Sequence, residues 1–153
     1  MFHEVVEGGT VSRDAGAALD RDEVTSTALL AAFEALLSES VVEAGPERVA
    51  DETGIDDASI EAVAAGDVGG LSVTDGAAIV GVTADRDAET IVAELRDHLL
   101  MGMATAVLDV DTIAAGIDAD LTGQEVQQAL EGRAEMTLEQ LAEVMAVIER
   151  RKP

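Results

Sequence analysis

Cysteine is absent from this sequence, and its absence removes disulfides, thiolate metal sites and cysteine nucleophiles in one step. Imidazoles are nearly as scarce, with His3 and His98 the whole supply. His98 follows Glu94 by one helical turn, a spacing that ordinarily gives a surface ion pair or hydrogen bond. H-E-x-x-H, G-x-S-x-G, the P-loop and G-x-G-x-x-G are all missing, so no familiar catalytic or nucleotide-binding motif is present. Gly66, Gly69 and Gly70 form a glycine-rich turn, but Asp67 and the lack of a preceding strand argue against a phosphate cradle. Asp118-x-Asp120-x-Thr122-Gly123 opens like a calcium loop, yet Ala129 stands where the closing bidentate Glu belongs. Carboxylates are so abundant that paired Asp/Glu spacing carries almost no information. The expectation is a protein that is not an enzyme, with no catalytic residue, no metal and no cofactor.

Long apolar runs are missing too. The longest run of apolar and small residues, LLMGMATAVL from Leu99 to Leu108, is far short of the roughly 20 residues that span a bilayer. Glu4, Glu7, Asp14 and Asp20 interrupt the start of the chain, so no basic-plus-apolar leader is expected there. These features predict a cytoplasmic protein without a membrane partner.

Cations and aromatics are the remaining scarcities. Nine Lys and Arg face 32 Asp and Glu, giving a formal net charge of −23, and aromatics make up 1%. Lys152 is the single lysine. What the chain does hold is 48% hydrophobic residues, mostly Ala, Val, Leu and Ile. A chain of 153 residues buries roughly 70% of its unfolded surface, enough for one domain or two small packed modules. An acidic disordered chain would lack the periodic apolar residues described next. An acidic surface, Arg in place of Lys and small aliphatic residues together resemble the composition of proteins from salt-in haloarchaea. In molar salt the screening length falls to about 3 Å, so carboxylate repulsion is largely quenched. The charge reads first as adaptation to the solvent.

The order of elements predicts an all-α fold without a sheet. Residues 1–21 form an arm with no sustained period. Leu29, Leu30, Phe33, Leu36, Leu37 and Val41 then recur at three- and four-residue steps, the stripe of an amphipathic helix. Gly45-Pro46 ends it. Short helices are expected at 46–53 and 57–65, and Ser72 with Asp75 begins another. The second half repeats this order: Asp87 opens a long helix carrying Ile91, Leu95, Leu99 and Met103. Thr122 with Glu125, and Thr137 with Gln140, both have capping-box spacing. Gly132 matches Gly66, and Met136-Thr137 matches Leu71-Ser72. The expected organisation is an arm (1–21), a first helical unit (22–83), and a second (84–153) beginning with a long buried helix. The internal period is on the order of 65 residues.

Gly45-x-x-x-Val49-Ala50-x-x-x-Gly54-Ile55-x-x-x-x-Ile60-x-x-x-x-x-Gly66 resembles the helix-turn-helix of Cro and phage-repressor domains. The resemblance implies that Ala50 lets two helices cross closely and Gly54 permits the left-handed turn, while Ile55 and Ile60 fill the core. Residues 112–148 are similar but looser, with Ala114 and Ile117 keeping the pattern. The implied architecture is two tandem helix-turn-helix-like units packed together. The segment HLLMGMATAVLDVDTIA, followed by EVQQ, resembles an uncharacterised haloarchaeal family, a domain of unknown function, which adds no chemistry.

Helix-turn-helix folds bind protein as well as DNA. The first recognition-type helix offers Asp57, Ser59, Glu61 and Ala62 without a cation, a face that phosphate repels. The second offers Thr122, Gln124, Gln127 and Gln128; glutamine pairs bidentately with adenine, and Arg133, Arg150, Arg151 and Lys152 would anchor phosphates. Two partner classes therefore stay open. The leading expectation is contact with an unidentified protein partner; the alternative is a DNA-binding transcriptional regulator using the second unit. In the long helix, Leu99, Met101, Gly102 and Met103 are either buried between the units or form a homodimer interface.

Overall fold

Leu29, Phe33, Leu37 and Val41 are spaced four residues apart, and all are buried along one side of α1, the helix Ser26–Ala44. The computed structural model describes residues 25–117 and 121–151. Among these residues the chain forms eight helices and no strand. After α1 come α2 (Pro46–Thr53), α3 (Asp57–Ala64), α4 (Val73–Ala84) and α5 (Ala88–Ala106). Then follow α6 (Val110–Ala115), α7 (Gly123–Leu130) and α8 (Leu138–Arg151). The arm assigned to 1–21 lies outside the described residues.

The ends of these helices are where local chemistry placed them. Helix N-termini leave backbone N–H groups without partners, and Ser, Thr and Asp side chains accept from them. Thr25 Oγ1 accepts from Ala28 N at 3.1 Å, and Ser72 Oγ from Asp75 N at 3.0 Å. Thr122 and Glu125 complete a reciprocal capping box at 3.1 and 3.2 Å, and Thr137 with Gln140 another at 3.0 and 3.1 Å. Asp87 holds the N-cap position of α5 but makes no side-chain cap bond there. Gly54 (φ +75°) closes α2 in the left-handed conformation that the helix-turn-helix likeness required. The same conformation closes α4 at Asp85 and α5 at Val107, neither of them glycine.

α1 packs against α8, α4, α3 and α2, and α5 packs against α4, α8 and α7. The most deeply buried helix is α8. From Leu141 to Ile148 every residue except Glu143 is buried, because α1, α4, α5 and α6 all pack against it. The expectation of a long buried helix opening the second half is corrected here. α5 turns Ile91, Leu95, Leu99 and Gly102 inward, but leaves Leu100 48% and Met101 71% exposed. α4, α7 and α8 pack against it on one side, which leaves the outer face with Leu100 and Met101 exposed.

Leu71–Val73 and Met136–Leu138 meet in an antiparallel bridge between Ser72 and Thr137. Val73 N donates to Met136 O at 2.7 Å, and Leu138 N donates to Leu71 O at 2.9 Å. Each of these amides begins a helix and has no intrahelical acceptor. The bridge satisfies both and pins the starts of α4 and α8 against each other. The ends of α3 and α7 also share a pattern. Ala65, Gly66 and Asp67 donate to the Glu61, Val63 and Ala62 carbonyls, while Glu131, Gly132 and Arg133 donate to those of Gln127, Ala129 and Gln128.

Candidate functional site

The capping box fixes where α7 starts, and its apolar side (Val126, Leu130) is buried. Gly123 is buried as well; a Cβ there would lie 2.0 Å from Asp111 Oδ1, so α6 and α7 approach closely at this point. Gln124 and Gln127 are consequently exposed and Gln128 half-buried. Together with Glu131 and Arg133 they line one shallow depression, so the structure gathers four of the proposed DNA contacts. Glu131 sits among them. It accepts from Gln127 Nε2 at 2.9 Å and pairs with Arg133. The Gln127 hydrogen bond, and then the Arg133 bond and charge, hold its carboxyl below the ordinary range, so it stays anionic. The cation of this depression is thus already matched by a carboxylate.

The first recognition-type helix is more acidic still. Asp57 and Glu61 are exposed, and the Ser59 hydroxyl donates to Asp56 Oδ1 at 2.8 Å. Arg150 and Arg151 are exposed at the end of α8, with Arg150 Nε donating back to Ala146 O at 3.2 Å. Lys152 lies outside the described residues. Of the four interface candidates, Leu99 and Gly102 face the core, Met103 is half-buried and Met101 is exposed. His98 lies with its Nε2 4.0 Å from Glu149 Oε1 on α8, while Glu94 pairs with Arg86. Among the described residues no group of three or more His, Cys, Asp or Glu could hold a metal, and no helix is long and apolar enough to cross a membrane. Asp118 and Asp120, of the calcium-like stretch, are outside the described residues.

One site escaped the sequence reading. A cleft of about 140 Å³ opens between α4, α5, α7 and α8, walled by Val92, Leu95, Leu99, Leu130, Met136 and Leu141. Arg96, half-buried, also lines it. Its Nε donates to Leu130 O at 3.0 Å, a carbonyl at the C-terminus of α7, where the helix dipole favours a cation. Its guanidinium lies against Gly132, where an added Cβ would be 2.9 Å from Nη1. The available signal was a cation in an inward stripe: Arg96 stands four residues after Val92 and three before Leu99.

No curated protein and no solved structure matches the chain. A family of unknown function, DUF5791, matches residues 29–151. That span runs from the first buried leucine of α1 to the last residue of α8, and the chain therefore belongs to this family.

Proposed function

We propose that this is a non-enzymatic cytoplasmic protein of haloarchaeal type, built from two kindred helix-turn-helix-like units and working through protein–protein contacts. Support for kinship comes from α1 and α5, each of 19 residues, and α3 and α7, each of 8. The reciprocal bridge between the Ser72 and Thr137 caps joins matching positions of the two units and adds to that support. The observation that carries the contact reading is the outer face of α5. Leu100 and Met101 are exposed there beside exposed Ala93 and Ala104; the other large exposed hydrophobics among the described residues, Val42 and Val107, lie apart from them in sequence. An exposed apolar face of this kind marks association, and the small flanking residues let a second helix approach.

The first partner to test is a second copy of the chain. Sedimentation equilibrium in molar KCl should give a dimer mass for the wild type and a monomer mass for Leu100→Glu with Met101→Glu. A wild type that stays monomeric at all concentrations refutes self-association through this face. DNA binding is the second reading, favoured by the exposure of Gln124 and Gln127 and opposed by Glu131, which is bonded to Gln127 and Arg133. If it holds, replacing Gln124 and Gln128 by Ala alters sequence preference in molar KCl; unchanged preference discards those readers.

A further inference from the structure

We infer that the cleft around Arg96 is a binding site for a small monocarboxylate with a compact apolar tail, up to about six carbons. Three features of the cleft point to that class. Its walls are aliphatic, from Val92, Leu95, Leu99, Leu130 and Met136, so they favour an apolar body. Its volume, about 140 Å³, is close to that of an engineered apolar cavity that takes up benzene, so only a short tail fits. Its cation is uncommitted: Arg96 has the Leu130 carbonyl on Nε, and no ion pair to it is present among the described residues. A guanidinium carries five N–H donors in a rigid fork, and the arms left over match a carboxylate bidentately.

The condition of Arg96 is unusual for this chain. Arg48, Arg86 and Arg133 each pair with a carboxylate; Arg150 and Arg151 have no ion pair among the described residues but are exposed at the end of α8, whereas Arg96 is half-buried in a cleft. Arg96 is held instead by the end of α7 and by the contact with Gly132, which fixes its fork without neutralising it. The structural part of its role, capping α7, uses one donor of the five. The net charge of −23 does not forbid an anionic ligand. In molar salt its field decays within about 3 Å, whereas a direct bidentate contact is little screened. Glu135 at the rim opposes an anion, but its Oε1 accepts from Thr74 Oγ1 at 3.1 Å on α4, which ties it to that side of the cleft.

The test is a titration of the full chain, in molar KCl at neutral pH, with hexanoate and with hexanamide as the neutral isostere. Binding is followed by methyl and backbone NMR shifts. Hexanoate should shift Leu99, Leu130 and Met136 together and saturate, and hexanamide should bind at least tenfold more weakly. Arg96→Met, which keeps much of the stem, should remove the preference for the anion, and Glu135→Gln should tighten hexanoate several-fold. The comparison of the two ligands on the wild type needs no variant to fold. Equal binding of the two, shifts scattered over the exposed surface, or no saturable shift at millimolar ligand would each overturn the inference.

Discussion

Gly54 and Val107 make opposite use of the same backbone conformation. Gly54 ends α2 at φ +75°, and a Cβ added there would meet nothing within 4 Å. Gly54→Ala therefore introduces conformational strain without a clash, and should lower stability by about 1 kcal/mol. Val107 ends α5 at φ +56° and is 89% exposed, a position that strains a β-branched residue and gains little from burial. Val107→Gly should raise stability by about 1 kcal/mol, or about 2–4 °C in melting temperature for a chain of this size. Thermal melts of the two variants in the same salt check both signs. A destabilised Val107→Gly would mean that the exposed valine makes a contact in an assembly.

At the scale of the helices, capping differs sharply between ends that look alike in sequence. Thr137 accepts from Gln140 N and receives its side chain in return, at the start of the helix around which the others pack. Asp87 has the right residue type at the right place but makes no such bond. Thr137→Ala should cost about 1 kcal/mol, measured by denaturant titration, whereas Asp87→Ala should leave the midpoint almost unmoved in molar salt. A comparable loss for both would show that macrodipole compensation, which salt screens, matters more than the hydrogen bond.

For the molecule as a whole, two electrostatic effects with opposite pH dependence compete. A net charge of −23 destabilises the compact state by self-repulsion, so dilution to low salt should loosen or unfold the chain. The melting temperature should climb with KCl, and a salt-independent one would refute this. The cap carboxylates act the other way. Asp56 lies below its ordinary pKa through the Ser59 hydroxyl and backbone bonds, and Asp109 through those from Thr112. A pKa lowered by folding contributes stability that is present above the unfolded value and is lost as pH falls through the folded one. In molar salt, where repulsion is screened, acidification through the carboxylate range should only destabilise. At low salt the same acidification should first stabilise, as repulsion is relieved, and destabilise only once the caps are protonated. Melting curves against pH at two salt concentrations separate the two effects.

Local signals were legible in the amino acids alone. The four-residue spacing of Leu29, Phe33, Leu37 and Val41, the breaks at Gly45-Pro46 and Gly54, and the Thr122 and Thr137 boxes each depend on neighbours within one or two turns, and each was realised. Burial was less legible. The apolar run of Leu99–Leu108 left burial between the units and a homodimer interface both open; Met101 is 71% exposed, while the segment holding Glu139, Glu143 and Glu149 became the most enclosed helix. Whether a face is covered depends on which helices arrive beside it from far along the chain. His98 also comes beside Glu149 of α8, a neighbour from far along the chain. The Arg96 cleft needed four helices to converge before it existed. Periodicity, capping and the acidic exterior were thus determined by the sequence alone, because they act over a few residues or through composition. Which faces meet, and what cavity they leave, was decided by the tertiary structure, because long-range packing selects among faces that the helices offer equally.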